Sequence, residues 1–298
     1  MLSAQRDSLR QLNWILAAAI VAPAIVFAYV AWSGYRTAFD LADRQVLRAR
    51  DVAREHAVKV FETIDSTVDL MEEVAGRYSE HALRSDEAKL HARLKEIVEG
   101  LPQIKSAWIF DQTGHSIANS ITNPSPQIDF SDRDYFRVHA RNATSGLYVG
   151  EVLQPRPPYG GEPFFSVSRR RSRPDGSFAG VIQISALPGY FESFYETMGG
   201  EGGAYYALLH VDGMVLARLP KAVAPARLRP DGPMAQAIAA GQTAGIVPAL
   251  SSADNKERRI AFARIPNYPV YVLAGVETAA VRAAWLRWLA SLLAFGLR

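Results

Sequence analysis

The segment Asp129 to Tyr148, DFSDRDYFRVHARNATSGLY, concentrates side chains suited to recognition chemistry. Ser131, three residues before Asp134, approximates a capping box: the serine accepts a backbone N–H and the aspartate sits near the positive end of a helix dipole. Local structure therefore accounts for Ser131 and Asp134 and leaves Arg133, Tyr135 and His139 without a task. A guanidinium binds a carboxylate through two parallel N–H donors, which makes Arg133 the first candidate for an anion-binding group and Arg170 the second. Strand alternation supplies further candidates. In PFFSVSRRR, Phe165 and Val167 share one face and Ser166, Ser168 and Arg170 the other; in the next strand Val181, Gln183 and Ser185 lie together. The polar face is expected to line a ligand site, a solvated face without ligand being the alternative.

Catalytic signatures are absent from the sequence. It contains no HExxH, GxxxxGK[ST] or GxSxG motif and no cysteine, and its six histidines (His56, His81, His91, His115, His139, His210) never stand at i and i+4. Disulfide frameworks, thiolate metal sites and cysteine nucleophiles are excluded. Asp129, Asp132 and Asp134 could gather a cation, but capping and surface solvation explain them more simply, and neither a metal nor a cofactor is expected. The run GGEGG at 199–203 superficially resembles a diguanylate cyclase signature, lacks its aspartate-glutamate end, and reads as a linker. A chain of 298 residues, 49% hydrophobic and 21% charged, can bury an ordinary core rather than remain disordered. Its 33 basic residues are spread among 30 acidic ones, without the basic stripe that a nucleic-acid partner would require.

The elements that must position these residues are legible in outline. Leu12 to Trp32 runs without a charge, about the length that crosses a bilayer and longer than the apolar core of a cleavable signal peptide. Trp14, Tyr29 and Trp32 suit the interfacial belts, and Arg6 and Arg10 place the first eleven residues in the cytoplasm. Ala283 to Leu297, after Arg282, is apolar but short, as expected of an interfacial helix or of a second span cut before its end. From Tyr35 to Tyr78 a stripe at Phe39, Ala42, Val46, Ala49, Ala53, Ala57, Val60, Ile64, Val68, Met71 and Ala75 predicts one long helix. The stripe either packs on its own domain or forms a parallel homodimer seam. A second helix through Leu90, Leu94, Ile97 and Val98 stops at Gly100 and Pro102.

From Ile104 onward the period is that of strands. Ser106 to Asn119 and Tyr205 to Arg218 read as the same hairpin unit used twice, with a third hairpin around Pro174-Asp175-Gly176 between them. Asp-Gly is a strong hairpin signal because both central residues of a type I′ turn need positive φ. The order implies an α+β fold of two related modules, each an antiparallel sheet packed with helices.

SDRDYF after a strand, then LYVGEV, then a strand followed by SRR and DGSFAGV, resembles the extracytoplasmic double Cache sensor domains of bacterial receptors. The resemblance covers roughly Gly34 to Glu277. It implies a long N-terminal helix carrying two PAS-like modules between transmembrane helices: a cytoplasmic N-terminus (1–11), a span (12–32), stalk helices (33–100), a membrane-distal module (101–199), a proximal module (200–277) and the start of a second span (278–298). It also implies a non-enzymatic, homodimeric sensor in the bacterial inner membrane with its sensor region periplasmic. Any kinase, cyclase or chemotaxis output would lie beyond Arg298. Amino-acid-binding members hold the ligand carboxylate with an arginine and paired aromatics, matched here by Arg133, Tyr135 and Phe136, and use a later tyrosine, matched by Tyr148. Ser185 stands where they hold the ligand amine with an aspartate, which points to a small carboxylate without an amine or to another small polar compound. The candidate ligand-binding set is Arg133, Tyr135, Phe136, His139, Tyr148, Ser166, Ser168, Arg170, Gln183 and Ser185. An enzyme with an unrecognised site and a ligand-free adhesion or assembly module are the alternative readings.

Overall fold

The computed structural model describes residues 2–78, 80–142, 146–157, 160–199, 203–221, 227–251 and 254–296. Helix α1 (Leu2–Gly76) is unbroken for 75 residues, with Pro23 inside it. Its apolar window has a mean hydropathy of 2.3 and is exposed throughout; among the described residues no other helix is long and apolar enough to cross a membrane. The short α2 (Glu80–Ser85) and α3 (Glu87–Val98) follow, and the chain then turns at Gly100, whose φ of 78° suits a residue without Cβ.

Two five-stranded antiparallel sheets come next. The first contains β1 (Ile104–Asp111), β2 (Ser116–Asn119), β3 (Tyr148–Leu153), β4 (Phe164–Ser172) and β5 (Phe178–Ala186), ordered β2-β1-β5-β4-β3. Helix α4 (Asp134–Arg141) lies between β2 and β3 in sequence, and α5 (Pro188–Thr197) leads out of β5. The second sheet contains β6 (Ala204–His210), β7 (Val215–Leu219), β8 (Ala244–Leu250), β9 (Glu257–Arg264) and β10 (Val270–Glu277), ordered β7-β6-β10-β9-β8. Helix α6 (Pro233–Ala239) occupies the place that α4 has in the first module. The identical strand orders bear out the reading of one unit used twice.

The Asp-Gly turns differ from the expected type I′. Only the glycines Gly176 and Gly213 have positive φ (81° and 89°), while each aspartate carboxylate accepts the backbone N–H two residues on, from Ser177 (2.9 Å) and Met214 (3.0 Å). These loops are held by Asx geometry with a single left-handed glycine, which costs less than forcing aspartate to positive φ. The linker expected at 199–203 falls mainly on residues 200–202, outside the described residues.

The stalk stripe packs on its own chain. Ala53, Ala57, Val60, Ile64, Val68, Met71 and Ala75 are buried in one core with Ile109, Ile182 and Ile184 of the first sheet and Leu208, Val270 and Val272 of the second. Val46 and Val60, 5% and 4% exposed, cannot form a seam between two copies, which corrects that alternative. The last helix, α7 (Thr278–Gly296), continues from β10 and returns along α1: Trp285 Nε1 donates to Ala31 O at 3.0 Å, and the Tyr35 ring meets Trp285 edge-on at 5.3 Å.

Candidate ligand site in the first module

Strand register builds the site. Across three adjacent strands Ser106, Ser185 and Ser166 stand side by side, as do Trp108, Gln183 and Ser168, then Phe110, Val181 and Arg170. Tyr148 of β3 pairs with Ser168 and extends the same face. The opposite face, with Ala107, Ile109, Ile182, Ile184, Phe165 and Val167, belongs to the core shared with α1. One side of the sheet is therefore committed to packing, and its polar residues gather on the other.

Helix α4 covers that second face. It begins at Asp134, and Arg133 is its N-cap residue with no side-chain cap, so the expected capping by Ser131 does not form. The Ser131 backbone N–H instead donates to Asp129 Oδ1 at 2.7 Å, closing an Asx turn that uses the segment before the helix. Asp134 reaches across to β3, where Oδ2 accepts the Glu151 backbone N–H at 2.9 Å and the Tyr148 hydroxyl at 3.3 Å. Gly150 makes this approach possible, because a Cβ there would collide with Ser166 Oγ and Asp134 Oδ2.

A cavity of about 40 Å³ lies under the start of α4, walled by Arg133 and Tyr135 above and by Ser106, Trp108, Gln183 and Ser185 on the sheet. Phe110, Phe130, Lys105 and Arg156 complete its sides. Of the expected set, Arg133, Tyr135, Gln183 and Ser185 line the cavity, whereas Phe136, His139, Tyr148, Ser166, Ser168 and Arg170 do not. Phe136 packs edge-on against Phe178 at 5.6 Å, and Arg170 donates to His139 O with its guanidinium 4.7 Å from the Phe178 ring centre. Tyr148 is engaged with Asp134. Ser166 Oγ is buried and has no hydrogen-bond partner among the described residues. These six residues build the layer that supports α4 rather than the cavity wall.

His139 and Ser168 belong to that layer. His139 is 1% exposed and its Nε2 lies 3.0 Å from Ser168 Oγ, which itself reaches Tyr135 O at 3.4 Å. Burial, with a smaller push from the Arg170 guanidinium, lowers the imidazole pKa to about 4. In the unfolded chain the ring takes up its proton near 6.5. The stability contributed by neutral His139 is thus complete above about pH 6.5 and lost as pH falls toward 4. Urea unfolding from pH 7 to 4 should show His139→Gln with a flatter acid-side slope than the parent; identical slopes would contradict the assignment.

The cations around the cavity differ in how they are held. Arg156 pairs with the Asp132 carboxylate, donates to Asp129 O, and lies 5.5 Å from the Phe130 ring centre. Its bond to Asp132 holds that carboxyl below its ordinary pKa. The Arg133 side chain donates from Nη2 to Gln154 O at 3.2 Å, and Lys105 donates to Glu162 O at 2.6 Å and Gly160 O at 3.3 Å. Among the described residues no aspartate or glutamate lines the cavity. Sequence reasoning missed Lys105, Ser106, Trp108, Phe130 and Arg156. The alternation that selected Ser166 and Ser185 would, applied to β1, have selected Ser106 and Trp108; Arg156 sits in a proline-rich loop with no period to read. Among the described residues no group of three His, Asp or Glu side chains is arranged to hold a metal ion.

The second module provides an internal comparison. At the corresponding positions stand Tyr205, Gly275 and Ile260, then Ala207, Leu273 and Phe262. Gly232 is the N-cap residue of α6, where the first module has Arg133. Its cavity, about 50 Å³, is lined by Val215, Leu228, Met234, Ile260 and Leu273, with Tyr205 and Arg218 at one end. Arg218 is already opposite a carboxylate, 3.7 Å from Asp254, and its Nε donates to Pro220 O at 2.8 Å.

No protein-family model matches the sequence, and neither does any curated protein. Solved structures do. The extracellular domain of rpHK1S-Z16 is similar over 83% of this chain and 99% of its own, with a TM-score of 0.70 and 25% identity. The chain has the double Cache sensor-domain fold. The periplasmic sensory domain of the Campylobacter jejuni chemoreceptor Tlp1 matches this double Cache domain over 80% of the chain and 95% of its own, with a TM-score of 0.63 and 12% identity. The ligand-binding domain of the Pseudomonas aeruginosa PAO1 amino acid chemoreceptor PctB, in complex with L-Arg, matches over 80% and 96%, with a TM-score of 0.60 and 14% identity.

Proposed function

We propose that this double Cache domain is the extracytoplasmic sensor region of a membrane signal-transduction receptor and binds a small organic anion in its first, membrane-distal module. The observation that carries the reading is internal to the molecule. One fold occurs twice, and in the first copy alone the helix over the sheet starts on an arginine that lines a cavity with a polar ladder, with no acidic side chain among the described lining residues. A guanidinium on the cavity wall with no ion pair among the described residues is suited to take an anion, since its donors bind carboxylate bidentately. PctB, crystallised with L-Arg, shows that this fold takes small polar ligands. Ser185 on the cavity wall offers a neutral hydroxyl and no countercharge for an ammonium, which favours a carboxylate without an amine. The proposed role is non-enzymatic ligand sensing for a receptor of the histidine kinase, diguanylate cyclase or chemoreceptor type. A thermal-shift screen of small organic acids on the detergent-solubilised chain tests the reading. A ligand at a hundredfold excess over its Kd stabilises the folded state by about 2.7 kcal/mol.

We propose that α1 anchors the chain in a membrane. Trp14, Ile15, Ile20 and Ile25 are 76%, 65%, 72% and 64% exposed, an apolar surface that water would not tolerate and a bilayer would cover. Such an anchor, with Arg6 and Arg10 on its cytoplasmic side, would put residues 34–277 in the periplasm. We further propose that the receptor is a homodimer that pairs through the face of α1 turned away from its own sheets. Leu41 and Val52, 47% and 53% exposed, stand eleven residues apart on that face. The natural chain has no cysteine, so single cysteines report cleanly. Oxidation in membranes should join copies through Leu41→Cys or Val52→Cys and leave Val60→Cys monomeric. A dimer through Val60 alone would exclude this face.

A further inference from the structure

Resting on the reading of the first module as an anion site, we propose that its ligand carries two anionic groups, one held by Arg133 and the other by Lys105, and belongs to the short aliphatic dicarboxylates. Lys105 reaches the cavity through a local irregularity. Strict alternation along β1 would turn it away from Ser106, Trp108 and Phe110. The register between β1 and β5 shifts between Ile104 and Ser106, however, so the bulge falls on Lys105 itself. A bulged residue is re-aimed relative to its neighbours, and here the ammonium arrives on the cavity wall with Arg133.

The charges on that wall are unbalanced. Of its three cations Arg156 is neutralised by Asp132, while Arg133 and Lys105 have carbonyl oxygens as their hydrogen-bond acceptors and no carboxylate in contact among the described residues. The Lys105 ammonium uses two of its three donors on Glu162 O and Gly160 O, and burial lowers its pKa against a weaker pull from the Glu162 carboxylate. A second ligand carboxylate would take the remaining donor and supply the countercharge. Among the described residues no acidic side chain lines the wall, and the nearby Asp132 carboxylate is already paired with Arg156. An anchoring role for Lys105 in the 160–162 loop alone would predict indifference to ligand charge.

The discriminating experiment titrates the detergent-solubilised chain by calorimetry with malonate, succinate and glutarate, each against the monocarboxylate of equal carbon number: propionate, butyrate and valerate. The best dicarboxylate should bind at least tenfold more tightly than its partner. Lys105→Gln should remove that difference by weakening the dicarboxylate alone, and Lys105→Arg, which keeps the cation, should preserve most of it. Equal affinity within each pair, or a difference that survives Lys105→Gln, would overturn the dianion assignment while leaving an anion site intact. Failure of every acid in both series to bind the parent chain would overturn the anion site and the dianion with it.

Discussion

Phe61→Ala should destabilise the folded domain by about 3–5 kcal/mol, the range for truncating a fully buried aromatic. Phe61 has no exposed surface, and its ring centre lies 6.3 Å from Phe165, 6.3 Å from Phe191 and 5.1 Å from Tyr268. Those neighbours come from the first sheet, from α5 and from the loop before β10, so one side chain on α1 closes the joint between the two modules. Polar contacts flank the same joint. Asp65 pairs with Arg169 of the first sheet at 2.6 Å and accepts the Tyr268 hydroxyl at 3.3 Å, and burial beside this carboxylate pushes the Tyr268 pKa up to about 12. A cavity at Phe61 cannot be filled by sliding one element, because α1 is pinned on both sides. Glu62→Ala, exposed on the same helix, should change stability by less than about 0.5 kcal/mol. Urea denaturation followed by circular dichroism measures both; equal effects would mean that the stalk does not share a core with the sheets.

How much of this could be read from the sequence depended on whether one pattern had one physical cause. The stripe from Phe39 to Ala75 gave the long helix, but the same period serves a helix packed on its own sheets and a helix paired with a second copy. Burial of Ala53, Ile64 and Val68 against both sheets resolved it. Alternation in β4 and β5 sorted Ser166, Ser168, Gln183 and Ser185 from the core correctly, because period two is a property of the strand alone. It could not tell which of them α4 would cover, so Ser166 and Ser168 lie behind the cavity and Gln183 and Ser185 on it. Ser131 and Asp134 had the spacing of a cap, yet the helix starts at Asp134 because Ser131 is consumed by the turn at Asp129. Lys105 was invisible for the opposite reason: a bulge breaks the very alternation that sequence reading relies on.

Arg133→Ala should weaken binding of the small organic acid by one to two decades with little change in the melting temperature of the ligand-free protein. The loss corresponds to a charge-assisted hydrogen bond, about 1.5–3 kcal/mol. Stability should hold because Arg133 is half-buried, caps nothing with its side chain, and gives up one hydrogen bond, to Gln154 O. Arg133→Lys should bind nearly as poorly as the alanine variant, since a single ammonium cannot reproduce the two parallel donors of a guanidinium. Gln183→Ala, on the opposite wall, removes a neutral group whose Nε2 donates to Ser185 Oγ at 3.1 Å, and should cost less.

The most direct test is calorimetric titration of the best acid from the thermal-shift screen into the parent chain and into Arg133→Ala, side by side in the same detergent. Saturable binding to the parent that falls at least tenfold in the variant, with both proteins melting at similar temperatures, is the predicted result. An acid that binds both proteins with equal affinity would contradict the account and move the site away from the first module's cavity, toward the cavity beside Tyr205 and Arg218 in the second.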